Sequence, residues 1–127
     1  MDANEDQLNL LSNRVIGCAL RVQHALGVGF LEKVYENALA YELRKAGFAV
    51  ARQYSMSIIY DDVVVGEYVA DLLVDEMLLV EVKATHALDD VHLAQCLNYL
   101  KATGIKLCLL FNFGTQRLQI KRVVLGL

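Results

Sequence analysis

Leu8, Leu11, Val15, Cys18, Val22 and Leu26 recur at three- and four-residue intervals, the period of a single helix face. An amphipathic helix is expected over residues 5 to 26, with Gly27 placed as a left-handed C-terminal cap. A second helix is expected over residues 30 to 46, closed by Gly47. From residue 48 to 84 the pattern changes to β-branched and aromatic runs, broken at Asp61-Asp62 and Asp75-Glu76. That reads as three antiparallel strands in a meander. Asp89 or Asp90 is placed to cap a third helix reaching residue 103, before Gly104. Ile105 to Phe113 is a continuous apolar run, expected as a central strand, and Gln116 to Leu125 alternates as a last one. The order predicts an α/β domain spanning 1–127, a mixed sheet flanked by helices, because the third helix can join two parallel strands.

Three charged side chains interrupt the most apolar part of this pattern. Asp71 stands in Tyr68-Val69-Ala70-Asp71-Leu72-Leu73-Val74, and Glu81 and Lys83 in Met77-Leu78-Leu79-Val80-Glu81-Val82-Lys83-Ala84. Desolvating an unpaired charge is costly, so these three ask for a partner. Mg²⁺ takes oxygen ligands, usually one or two carboxylates with waters and a phosphate. Asp71 and Glu81 supply carboxylates, and the Val82 carbonyl supplies a further oxygen. Lys83 would hold the attacking water and offset charge on a phosphorane. The plain alternative is a lysine ion-paired with Asp71 or Glu81 at a sheet end. Register separates useful from useless arrangements. Glu81 and Lys83 share a strand face. If Asp71 opposes Glu81, residue 74 opposes 78 and the loop is Asp75-Glu76-Met77, whereas a two-residue turn turns Asp71 away unless a bulge intervenes.

Glu32, Tyr35 and Leu39 lie on one face of the second helix. Glu32 is therefore a candidate third acid. The alternative is a first-turn glutamate favoured by the helix dipole, a role Glu36 would fill as well. Gln95 and Tyr99 are four apart on the third helix, one turn after His92, and face the sheet either as hydrogen-bonding groups for the site or as a boundary stripe. His24 and His92 lack the paired spacing of a metal site. His86 lies close enough to Lys83 in sequence to touch a substrate.

Composition narrows the setting. The chain is 56% hydrophobic, yet no apolar run reaches the roughly 20 residues of a membrane span. The acidic start, Met1 to Asp6, lacks the basic-then-apolar pattern of a secretory signal. Cys18, Cys96 and Cys108 are odd in number and widely spaced, as expected of reduced core thiols in a cytoplasmic protein. The net charge of −3 removes long-range attraction as a source of nucleic-acid affinity. Contact would need a local patch, for which Arg44, Lys45, Arg52, Lys101, Lys106, Arg117, Lys121 and Arg122 are available.

Gly29-Phe30-Leu31-Glu32-Lys33-Val34-Tyr35 resembles the motif that names the GxxExxY proteins, a family placed in the PD-(D/E)XK nuclease superfamily. Tyr35-Glu36-Asn37-Ala38-Leu39, Ala70-Asp71-Leu72-Leu73-Val74, Glu81-Val82-Lys83-Ala84, Gln95-Cys96-Leu97-Asn98-Tyr99-Leu100-Lys101 and Asn112-Phe113-Gly114 follow in the family's order. The resemblance runs nearly end to end. It implies a restriction-endonuclease-like core and Mg²⁺-dependent phosphodiester hydrolysis, with Mn²⁺ as a substitute. It puts Asp71, Glu81 and Lys83 at the active-site positions and Glu32 at the helix-borne acid position. Gln95 and Tyr99 resemble the Gln-x-x-x-Tyr motif of recombination-type exonucleases. The chain departs from the pattern at Gln23, with His24 displaced by one, at Val28 in place of proline, and at Val69 in place of a basic residue. The expected partner is nucleic acid, DNA ahead of RNA. A homodimer would serve to cut both strands, and a protein partner would supply specificity. The rival from another class is a catalytically silent module that keeps the fold for binding.

Overall fold

The computed structural model describes residues 4–127; Met1, Asp2 and Ala3 of the acidic start lie outside the described residues. Helix α1 spans Glu5–Leu26. Asn4 caps it by accepting from the Gln7 N–H at 2.8 Å, while the Gln7 side chain accepts from the Asn4 N–H at 3.1 Å. Gly27 ends it with φ 66° and ψ −163°. The φ is positive as expected, but the ψ lies outside the left-handed helical region, so the chain leaves the helix extended. Helix α2 is Glu32–Lys45. It starts two residues later than its periodicity suggests, because Leu31 is extended, and this leaves Phe30 and Leu31 in the preceding loop.

Strands β1 (Val50–Tyr60), β2 (Val63–Val74) and β3 (Leu78–Lys83) form the meander, followed by α3 (Asp90–Thr103), β4 (Leu107–Asn112) and β5 (Gln119–Val124). Asp89 caps α3 through the N–H groups of Val91 and His92, and Gly104 closes it in the left-handed region, φ 76° and ψ 0°. The sheet order is β1-β2-β3-β4-β5. Only the α3 crossover yields a parallel pair, β3 with β4; the other neighbours are antiparallel. The strand expected to be central, β4, is wholly buried, but β3 is the middle strand. β5 folds back along the far side of β4 by a tight return and leaves it one place from the edge.

Helices α1 and α2 cover one face of the sheet with Leu72, Val74, Leu78, Val80, Val82, Leu109 and Phe111 beneath them. Helix α3 covers the other, over Ala70, Leu73, Leu79, Cys108 and Leu110. Cys18, Cys96 and Cys108 are buried and unbridged. Among the described residues no helix is long and apolar enough to cross a membrane.

The sheet is irregular at the level of Asp71. Alternate residues of a strand share a face, yet Val50 packs on the α1–α2 side while Tyr54 and Met56 pack on the α3 side. In β2, Leu72 and Val74 face α1–α2 while Tyr68 and Ala70 face α3. Both strands reverse their facing at the same level. Gln53 is there, with φ 51°, between the pairs Arg52↔Leu72 and Tyr54↔Ala70, and so stands across from Asp71. A left-handed φ is uncommon for a residue with a side chain.

Gly114 marks a second constraint. A Cβ there would lie inside contact distance of the Thr85 backbone and 2.8 Å from the Ala84 carbonyl carbon. Replacing Gly114 with alanine is expected to cost about 3 kcal/mol. Gly17→Ala within α1, where an added Cβ meets nothing within 4 Å, is expected to gain about 0.5–1 kcal/mol. Urea denaturation of the two variants beside the parent checks both signs.

Candidate active site

The β2–β3 ladder runs from Val74↔Leu78 to Leu72↔Val80, around a loop of Asp75, Glu76 and Met77. Asp75 and Glu76 adopt left-handed φ of 50° and 58°, and the Met77 N–H donates to the Val74 carbonyl at 3.0 Å. This is the three-residue loop that places Asp71 opposite Glu81. At that level the ladder gives way to side chains. The Asp71 N–H donates to Glu81 Oε1 at 3.1 Å, and the Val82 N–H donates to Asp71 Oδ2 at 2.7 Å. Each carboxylate caps a backbone donor that the opened ladder would otherwise strand in the interior.

Glu81 is 3% exposed. Its Oε2 lies 3.4 Å from Lys83 Nζ and 3.1 Å from the Tyr99 hydroxyl. That hydroxyl is also 3.1 Å from the Val69 carbonyl, and its single proton serves the two acceptors in turn. Burial and the adjacent Glu81 carboxylate push the Tyr99 phenol well above its usual range. Glu81 is itself raised, because burial outweighs the Asp71 N–H, Lys83 and Tyr99. Asp71 is pushed up to about 7, first by burial and then by the Glu81 charge.

Two acids of α2 reach the same region. Glu32 lies at the margin, its side chain 48% exposed and its Oε1 4.0 Å from Lys83 Nζ. Glu36, one turn on, is the buried one at 2%. It accepts from Lys33 Nζ at 3.1 Å, from Arg52 Nη2 at 2.9 Å and from Gln53 Nε2 at 3.0 Å. Burial pushes its carboxyl up, but those three donors prevail and hold it below the usual range. Periodicity puts Glu36 on the same stripe as Glu32, and only the partners Arg52 and Gln53, from β1, select it for burial. Leu31, Glu32, Lys33, Glu36, Gln53 and Asp71 line a cleft of about 370 Å³.

The remaining motif residues are scaffold. The Tyr35 hydroxyl donates to the Gly27 carbonyl at 2.6 Å and accepts from the Phe30 N–H at 3.2 Å, pinning the loop that leads into Glu32. Its ring stacks on Phe113, centroids 4.8 Å apart. The Phe113 N–H donates to the Lys83 carbonyl at 2.8 Å. Asn112 Oδ1 accepts from the Thr85 and Gly114 N–H groups, and its Nδ2 donates to the Thr85 carbonyl. These contacts fix the exit of β3 immediately after Lys83.

Asp71, Glu81, Lys83 and Tyr99 are therefore brought together, with Glu32 beside them. Val82 contributes its N–H, with its side chain in the core. Gln95 is half-buried one turn before Tyr99 and makes no hydrogen bond among the described residues. His24 and His86 are exposed, and His92 belongs to the α3 capping box. Among the described residues, no three His, Cys, Asp or Glu side chains are grouped to hold a metal ion. The Asp71–Glu81 pair alone offers the one or two carboxylates that Mg²⁺ commonly takes.

A family model of the PD-(D/E)XK nuclease superfamily matches residues 9–123. The chain belongs to that superfamily, and its five-stranded mixed sheet with flanking helices is the restriction-endonuclease-like fold. Its function is thus of the nuclease type, in a class whose members typically use divalent metals. Neither curated proteins nor solved structures gave a match.

The Asp71 shift sets a pH dependence. The folded protein holds this proton up to about pH 7, while an unshifted aspartate of the unfolded chain loses it near 3.8. Stability is then fullest below the unfolded value and falls as pH rises towards 7. Glu81 is raised and adds the same sign. Glu36 is lowered and acts oppositely, its contribution being lost only as pH falls below its ordinary 4.5. Chelator-treated protein is expected to lose thermal stability between about pH 5 and 7, and Asp71→Asn to flatten that decline. Melting curves across the range check it.

Proposed function

We propose that the chain is a Mg²⁺-dependent nuclease, with Mn²⁺ as a substitute, hydrolysing phosphodiester bonds of DNA ahead of RNA in the cytoplasm. The observation that carries this is the Asp71–Glu81 pair across the opened ladder, with Lys83 Nζ 3.4 Å from Glu81. Asp71 and Glu81 would hold the cation, with Glu32 and the Val82 carbonyl as further oxygen donors. The Asp71 carboxyl, buried and crowded by Glu81 and Glu36, is raised, and so marks a place where positive charge is wanted. A divalent cation there supplies Lewis-acid polarisation of a phosphoryl oxygen.

Lys83 donates to the attacking water and offsets charge that develops on the phosphoryl oxygens. Tyr99 keeps Glu81 in place by its hydroxyl, and Gln95, one turn earlier, is aligned to orient a phosphate. A two-fold dimer would bring two such sites to the strands of a duplex, and a protein partner would direct a domain this small to its target.

One observation favours a second reading, a silent module for nucleic-acid or protein binding. Among the described residues every buried side-chain nitrogen and oxygen has a partner, so the cluster also stands as a closed ion-pair network.

Calorimetric titration with Mg²⁺ and Mn²⁺, on the parent and on Asp71→Ala, separates the two. Binding is expected in the parent, absent from Asp71→Ala, and stronger as pH rises towards 7, since the ligand must give up its proton. Lys83→Ala is expected to lower cleavage of labelled oligonucleotides by about 100-fold or more. A parent that takes up neither cation, with or without nucleic acid, leaves the binding module.

A further inference from the structure

An acidic protein that grips a polyanion needs cations at the right place, and Val69, two residues before Asp71, supplies none. The rim of the cleft supplies them from elsewhere. Lys33 and Arg52 both converge on the buried Glu36 carboxylate, at 3.1 and 2.9 Å, and are the cations beside a cleft whose acids are Glu32, Glu36 and Asp71. Lys33 directs its ammonium at both Glu36 oxygens, which leaves a third N–H donor on a side chain that is 59% exposed. Lys33 and Glu36 line the same cleft as Asp71.

The neighbouring positions are apolar and presented to solvent. Leu31 is 80% exposed and lines that cleft, and Phe30 beside it is 50% exposed. Tyr35 holds their loop in place from beneath. An aromatic and an aliphatic side chain beside this open cleft match a nucleobase, whose flat face stacks without regard to sequence. Bases in an intact duplex are already stacked on one another, and such a rim engages a strand whose bases are free.

We infer that the segment Phe30 to Lys33, with Arg52, is a subsite for a single-stranded nucleotide. Lys33 and Arg52 grip the phosphate beside the scissile one, and Leu31 and Phe30 hold its unstacked base. This rests on the nuclease reading for the position of the scissile phosphate, and it can be tested apart from it.

Binding of an oligothymidylate of about 12 nucleotides, carrying one 2-aminopurine, is measured by anisotropy and fluorescence with EDTA present. Salt is varied between about 50 and 200 mM. Lys33→Gln is expected to reduce the log–log salt slope by about 0.7, the value for one phosphate contact on a single strand, and Lys33→Arg to restore it. Leu31→Ser is expected to weaken single-strand binding about five-fold or more, with the slope unchanged and duplex binding unaffected. Leu31 is too exposed for its loss to unfold the protein, and melting curves of each variant confirm the fold. A parent that does not bind, or variants that match it in slope and affinity, overturn the subsite. So does a Leu31→Ser that changes only the oligomeric mass, which makes the rim a contact between copies. Cleavage with Mg²⁺ is read separately. A parent that binds through the rim but cuts nothing sinks the nuclease reading alone; one that cuts while all variants bind alike sinks the subsite alone.

Discussion

The structure turns on an exchange of hydrogen bonds at one level of the sheet. Where β2 and β3 part company, the Asp71 and Val82 N–H groups lose strand partners and take carboxylate oxygens instead, at 3.1 and 2.7 Å. A hydrogen bond to a charged acceptor is worth about 1.5–3 kcal/mol, a strength the Val82 bond reaches only above about pH 7, where Asp71 gives up its proton. The cost is that two carboxylates sit together in a desolvated place. Each raises the proton affinity of the site, and Lys83 relieves only part of the repulsion. A site that keeps its acids close and under-compensated is one that a divalent cation stabilises.

That arrangement needs rigid surroundings, and the chain provides them from segments distant in sequence. Tyr35 of α2 stacks on Phe113 after β4, while Phe113 and Asn112 hold the backbone of Lys83 and Thr85. Gly114 permits the close approach that this requires. On the far side, Gln53 bends β1 opposite Asp71 and sends its amide to Glu36. Left-handed backbone at a residue with a side chain costs about 1–3 kcal/mol and persists where surrounding contacts over-determine it. Here the Glu36 cluster and the flanking β1–β2 pairs do so.

Local patterns with a single physical reading were legible in the chain. The α1 face, an aspartate cap at Asp89 or Asp90, the Gly104 stop and the α3 crossover follow from periodicity, capping chemistry and connection rules that act over a few residues. The Asp75-Glu76-Met77 loop was legible for another reason: in a regular hairpin without a bulge, that length brings Asp71 and Glu81 opposite each other. Choices among equivalent neighbours were not. Glu32 and Glu36 are one turn apart on the same stripe, and helix periodicity does not say which is buried. Arg52 and Gln53 decide that, from a strand reached only after folding. The reversal of facing at Gln53 and Asp71 defeats a strict two-residue alternation, and nothing in the side chains of β1 announces it.

The sequence by itself determined the inventory: which segments are helix and strand, that the sheet is mixed, and that Asp71, Glu81 and Lys83 lie close together. These depend on spacing along one chain or across one hairpin, where geometry leaves few alternatives. Tertiary structure alone decided which strand is the middle one, which α2 acid is enclosed, and that Lys33 and Arg52 stand beside the carboxylates. Those outcomes depend on charges and rings brought together from α2, β1 and the end of β4. Their energies arise only when water is excluded between them.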